Sequence, residues 1–257
     1  MIENGCEQFR KELNFRDLGG YSAADGRKIK HGIFYRSGAF SRMNTAEKKI
    51  FDGLGIQCVI DLRTEEENRR SPDPSLNIPV YRCSGAVSKG GEGIDFSPKG
   101  MNQIGSAGEK QWDLLQEYYQ EMPFQNPAFQ MIMKQVEQKH VPLCIHCATG
   151  KDRTGVACMI LLLMLGAEER TVLDDYMLSC TYRKRVIDHV LENNKEKIEA
   201  DPILKKLLIM KDGVLRETGE AVLKNIRERY GSYADYFKNE FGLKEEQIQK
   251  MRNWYLE

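Results

Sequence analysis

The longest apolar run of the chain, residues 156–165, stands between Gly155 and Gly166 and limits the fold more than any other feature. Crossing a bilayer takes about 20 apolar residues, so a run this short is a core helix. Because it is apolar on every side, it must be covered on every side. Before it come a β-rich segment, residues 141–145, and a polar loop that contains Gly150. A strand, a tight loop and a buried helix in that order form one α/β unit, and the helix N-terminus then faces the loop. Its unpaired N–H groups and the positive end of its dipole make an anion site before any side chain is considered.

The first half of the chain alternates short β-rich runs with helical patterns, as an α/β sheet requires. Residues 33–35, 56–62, 78–81 and 141–145 are the expected strands. Between the first two, Thr45 is expected to open a helix as its N-cap, with Gly53 and Gly55 ending it. The stretch 84–108 holds seven glycines and few large apolar groups. It reads as a long loop bordering the site, of the kind that covers a substrate. From Glu109 onward the pattern is helical: Trp112, Leu115 and Tyr119 share one face, and Phe129, Ile132, Met133 and Val136 share another, with Pro127 opening the second helix after Asn126. Residues 168–179, 183–198, 217–230, 233–240 and 244–254 complete a helix-rich C-terminal portion. Asp201-Pro202 and Asp212-Gly213 read as turns within it.

Into the anion site the sequence places Cys147 and, six positions later, Arg153. The positive helix end favours the thiolate of a cysteine, which is its nucleophilic form. Arg153 offers a planar fork of donors that fits two phosphate oxygens, which a lysine cannot match. The five residues between them, Ala148, Thr149, Gly150, Lys151 and Asp152, let the loop curl until successive N–H groups point at one centre. Residues 148–153 are therefore the expected phosphate cradle, with Lys151 as a second cation. Thr154 is expected to donate its hydroxyl to the Cys147 sulfur, and His146 to orient the loop by bonding backbone groups.

At these residues the chain resembles the cysteine-dependent phosphatases, whose signature is His-Cys, five residues, then Arg followed by Ser or Thr. Its version, Gly150-Lys151-Asp152-Arg153-Thr154-Gly155, is similar to that of the bacterial tyrosine phosphatase family that includes the secreted mycobacterial and listerial enzymes. The likeness continues in Asn14-Phe15-Arg16-Asp17-Leu18-Gly19-Gly20-Tyr21, Tyr35-Arg36-Ser37-Gly38 and Ile60-Asp61-Leu62-Arg63. It reaches the tail at Tyr230-Gly231-Ser232-Tyr233 and Phe241-Gly242-Leu243. The resemblance implies an α/β fold, a tyrosine-phosphatase-like, mostly parallel central sheet flanked by helices. It implies one phosphatase domain over 1–257, with a mobile loop at 84–108 and added helices at 168–257.

The same resemblance implies a two-step phosphoryl transfer without metal or cofactor: Cys147 attacks phosphorus, and water hydrolyses the cysteinyl-phosphate to inorganic phosphate. Preorganised N–H groups and Arg153 would meet the charge that develops on the phosphoryl oxygens. The implied substrate is phosphotyrosine in proteins, together with phosphoserine or phosphothreonine; a phosphoinositide is the alternative that Lys151 would suit. Expelling a phenolate needs a proton donor. The chain has no Trp-Pro-Asp loop, and in the resembling enzymes the position of Asp152 is the proposed acid. Asp95 and Asp113 are the substitutes. Lys151, Arg153 and the helix end oppose protonation of Asp152, whereas a bound phosphate dianion favours it.

Other readings fail on particular residues. A Walker loop would need glycine where Ile145 stands and Ser or Thr where Asp152 stands. Cys144, His146 and Cys147 lack a second ligand pair for zinc. In an extended strand Cys144 and Cys147 lie roughly 10 Å apart, beyond the reach of a disulfide at about 7 Å. A non-catalytic phosphate-binding module has no need of Cys147, and a sulfur-transfer enzyme gains little from Arg153. The 38 basic and 38 acidic residues cancel, which argues against an electrostatic nucleic-acid or membrane binder. The seven cysteines are dispersed in a chain too long to need staples, and residues 1–10 carry no apolar signal segment, so a reduced, cytoplasmic protein without an integral membrane segment is expected. The pairs Arg16-Asp17 and Asp61-Arg63 read as loop scaffolds, Glu65-Glu66-Glu67 as a solvated helix start, and Arg183-Lys184-Arg185 as an exposed helix face.

Overall fold

A computed structural model describes residues 6–86 and 108–257. Within them, strands β1 (Arg16–Asp17), β2 (Phe34–Ser37), β3 (Cys58–Asp61), β4 (Val80–Arg82) and β5 (Leu143–His146) form one sheet in the order β1-β2-β5-β3-β4. The last strand in the chain is thus the central one. β5 runs parallel to β2 and β3, and β4 parallel to β3, while β1 alone is antiparallel. Each expected strand is present, trimmed or shifted by a few residues at its ends. Ser37 on one side and Asp61 on the other both register with His146, so three strands end at one level. The loops that follow them share the C-terminal edge of the sheet, where parallel sheets place their ligands.

Alternation along β5 separates two apolar layers. Cys144 faces a layer with Phe9, Phe15, Tyr35, Phe40, Phe51 and Val59. Leu143 and Ile145 face the larger layer, built on the helix made by the apolar run. In chain order the helices are α1 (Thr45–Gly53), α2 (Glu65–Arg70), α3 (Gly108–Glu121), α4 (Pro127–Glu137), α5 (Arg153–Met164), α6 (Glu169–Glu192), α7 (Lys195–Ala200), α8 (Pro202–Asp212), α9 (Arg216–Tyr230), α10 (Tyr233–Phe241) and α11 (Glu245–Tyr255). Every residue of α5 is buried, as a helix apolar on all sides demands. No helix among the described residues is long and apolar enough to cross a membrane.

Several expectations are corrected. Asn44, not Thr45, is the N-cap of α1: its side chain accepts the Glu47 N–H, and the Glu47 carboxylate accepts the Asn44 N–H, each at 2.9 Å. That reciprocal box fits one residue earlier than expected. Residues 169–179 and 183–192 belong to a single helix, α6, which runs unbroken through residues 180–182; on the way the Cys180 thiol donates to the Val214 carbonyl at 2.9 Å. Asp201 and Gly213 bracket a further helix, α8, where Asp201 caps Ile203 and Leu204 and Pro202 takes the first helical position. Arg183 is buried rather than exposed, since its guanidinium pairs with Asp212 at 2.7 Å. The expected loop at 84–108, apart from residues 84–86 and 108, lies outside the described residues, as does Asp95.

Candidate active site

Residues 147–152 connect β5 to α5 along the C-terminal edge of the sheet. Cys147 follows the strand directly and is buried, and Ala148 and Thr149 are the loop's more exposed residues. Gly150 turns the chain at φ +68°, and a Cβ there would lie 2.4 Å from the Ser37 carbonyl oxygen. Its own carbonyl accepts from the Asn14 amide at 2.7 Å and from the Arg36 guanidinium at 2.8 Å. Two buried side chains therefore pull that C=O out of the loop. Among the described residues, no backbone acceptor takes the N–H groups of residues 148–153. Six donors at the head of a buried helix are what an anion needs.

Arg153, the first residue of α5, is buried and already oriented. Its two terminal nitrogens bind Glu67 in a fork, at 2.6 and 2.7 Å, and one also donates to the Leu62 carbonyl at 3.1 Å. Burial works against the charge of Arg153, but Glu67 and the nearby Cys147 outweigh it and raise its pKa. Burial likewise opposes ionisation of Glu67, and Arg153 prevails there too, holding the carboxyl below its ordinary range. Glu67 is thus no solvated helix start. It caps α2 through the Thr64 N–H and faces inward to Arg153. Gly85, in the first described residues of the glycine-rich stretch, donates to Leu62 and packs on Arg153, so that stretch begins beside the site.

Asp152 occupies the N-cap position of α5 yet makes no side-chain cap. Its Oδ1 instead accepts from the Tyr119 hydroxyl and, at 2.7 Å, from the Lys151 ammonium. Lys151 is buried and also donates to the Met210 carbonyl of α8 at 2.6 Å, so its charge is engaged within the protein. Asp113 is exposed on α3. Thr154 is fully buried, but no hydrogen bond joins its hydroxyl to the Cys147 sulfur, which corrects the expected contact. His146 stacks on Phe40 with ring centroids 4.4 Å apart, and its Nε2 lies 3.6 Å from Asp61 and 3.5 Å from Asp73. Burial pushes its pKa down while the two carboxylates pull the other way.

Asp61, Asp73 and His146 are close enough to share a metal ion. Arg63 fills that role: it forks onto Asp61 at 2.9 Å and reaches Asp73, supplying the positive charge a metal would bring. The Asp61-Arg63 pair is therefore scaffold, as expected. Arg16 is scaffold with a different partner, since it pairs with Asp175 of α6 and not with Asp17. Sequence reasoning missed three residues of this site: Glu67, Tyr119 and Asp175. A cleft of about 400 Å³ lies at the far end of α5, and no loop residue lines it.

A mostly parallel sheet whose central strand feeds a cysteine, an unclaimed set of N–H donors and an oriented arginine into the head of a buried helix has the equipment of a cysteine-based phosphatase. Comparison with known proteins agrees. Residues 8–257 match the model of the tyrosine phosphatase family, and the chain belongs to that family. It is 27% identical over 246 residues to a protein of Cupriavidus necator whose name assigns it provisionally to the tyrosine-protein phosphatases, covering 95% of this chain and 85% of that one. It is 25% identical over 268 residues to the triple specificity protein phosphatase PtpB of Mycobacterium tuberculosis, covering 93% and 95%. A tyrosine-protein phosphatase of Nostoc commune is 26% identical over 155 residues, covering 60% of this chain and 50% of that protein.

Proposed function

We propose that the protein hydrolyses phosphotyrosine in proteins, together with phosphoserine or phosphothreonine, through a cysteinyl-phosphate on Cys147. The observation that carries this reading is the set of six N–H groups at residues 148–153 that no backbone acceptor takes among the described residues, in the loop that follows the buried Cys147 and leads to a guanidinium already fixed by Glu67. In the first step the Cys147 sulfur attacks phosphorus. Charge on the phosphoryl oxygens falls on the loop N–H groups and on the donors of Arg153 not used by Glu67. Asp152 protonates the leaving oxygen; it is buried in the loop, whereas Asp113 is exposed. In the second step water attacks, Asp152 takes its proton, and inorganic phosphate leaves.

A multiply charged phosphoinositide would draw on Lys151 as a second cation. Its ammonium is bound to Asp152 and the Met210 carbonyl, which favours the phosphoprotein reading. The name of the mycobacterial relative, a triple specificity protein phosphatase, supports activity beyond phosphotyrosine. The seven cysteines, all free, fit a reducing cytoplasm. The test is an assay of phosphotyrosine peptide, phosphoserine peptide and phosphoinositide side by side, with wild type and Cys147→Ser, in the presence of a chelator. Turnover is expected with the peptides, unaffected by the chelator and abolished in Cys147→Ser, which still binds phosphate. Undiminished turnover in Cys147→Ser would sink the covalent route.

A further inference from the structure

An aspartate at an N-cap ordinarily turns back to accept the first N–H groups of its own helix. Asp152 does not, which leaves the head of α5 free for an outside anion. Its Oδ1 is held from outside by two donors on different elements, the Tyr119 hydroxyl on α3 and the Lys151 ammonium, and all three side chains are buried. Burial, reinforced by Asp152 itself, pushes the Tyr119 phenol well above its usual range, so it stays a protonated donor. A carboxyl oxygen has two lone pairs, and two donors fill both of them on Oδ1.

We propose that Tyr119 is a positioning residue that decides which oxygen of Asp152 carries the catalytic proton. The proposal rests on the reading of Asp152 as the general acid. With Oδ1 fully engaged, a proton on Asp152 resides on Oδ2. As the sulfur lone pair of Cys147 becomes the S–P bond, the P–O bond pair passes to the leaving oxygen and takes the Oδ2 proton, which leaves Asp152 a carboxylate. In the second step Oδ2 receives a proton from the attacking water, and the S–P bond pair returns to sulfur. Oδ1 accepts the same two hydrogen bonds throughout, so the carboxyl group does not have to rotate between steps.

Tyr119→Phe removes only the hydroxyl. The measurement is kcat/KM, which reports transfer to Cys147, on aryl phosphates of graded leaving-group acidity. Losing one hydrogen bond to a charged group is worth about 1.5–3 kcal/mol, so roughly a 10- to 100-fold loss is expected on phenyl phosphate. Dinitrophenyl phosphate, whose leaving group needs no proton, should be nearly unaffected. In an Asp152→Asn background the second substitution should add little. A loss equal for all leaving groups, or one that multiplies in full with that of Asp152→Asn, overturns the proposal. If Asp152→Asn alone slows every leaving group alike, the acid assignment fails, and this proposal with it. Should Tyr119→Phe not fold, Lys151→Met removes the other donor to the same oxygen. The same split between leaving groups is then expected, and a uniform loss overturns the proposal.

Discussion

Glu67 and Gly150 hold the loop between β5 and α5 by different means, one by its charge on Arg153 and one by having no side chain. Glu67→Gln keeps the size of the group but removes its charge and one of its acceptors, so Arg153 is left buried with half its fork. Because misplacement near 1 Å can cost on the order of 100-fold in rate, kcat is expected to fall by roughly 10- to 100-fold, while KM for an aryl phosphate changes less. An unchanged kcat would mean that Arg153 is placed by α5 alone. At Gly150 the backbone stands at φ +68° with the end of β2 only 2.4 Å from where a Cβ would be. Gly150→Ala must either shift β2 or open the loop. A strained backbone of this kind costs about 1–3 kcal/mol, before the clash is counted. A lowered melting temperature and loss of phosphate binding by calorimetry are expected together.

The elements written in apolar pattern were the legible ones. β5, the loop and α5 could be read because a strand, a polar turn and an all-apolar helix leave few alternatives, and the family likeness rested on the same residues. What was not legible depended on partners distant in sequence. Thr64-Glu65-Glu66-Glu67 looks the same whether its last residue faces water or, as here, an arginine 86 positions away. Arg183 reads as part of a basic surface run until α8 brings Asp212 to it. α8 itself was hidden because Asp201-Pro202 serves a turn and a helix start equally well. The energetic contrast between such elements is measurable in urea. Leu161→Ala, in the fully buried α5, is expected to cost about 3–5 kcal/mol through the cavity it leaves, and Asp201→Ala, at the cap of α8, about 1 kcal/mol. Equal losses would show that α8 is as integral to the core as α5.

Across the whole molecule, one carboxylate joins β1 and β2 to the candidate site and to α6. Asp175 of α6 is fully buried and accepts from Arg16 of β1 at 2.8 Å, Arg36 of β2 at 2.6 Å and the Tyr21 hydroxyl at 3.0 Å. Arg36 in turn donates to the Gly150 carbonyl, so the network ends in the loop between β5 and α5. Burial opposes ionisation of Asp175, yet Arg16 and Arg36 overcome it and hold the carboxyl at about 2. An aspartate in the unfolded chain titrates near 3.9, so the folded state binds the proton less readily than the unfolded one. The contribution, on the order of 2 kcal/mol, is therefore complete above about pH 5 and lost as the pH falls toward 2. Asp175→Asn should remove that acid dependence. It should also leave two buried guanidinium groups short of a counter-charge, destabilising the protein by about 3–5 kcal/mol at neutral pH. Phosphate binding should weaken in the same variant, because Arg36 loses the partner that aims it at Gly150. Urea unfolding from pH 7 to pH 2.5 with both proteins tests the first two effects, and phosphate titration by calorimetry tests the third. If the variant keeps the wild-type loss of stability below pH 4, acid sensitivity lies in other carboxylates, and Asp175 is a packing residue rather than the electrostatic link between the strands and the loop.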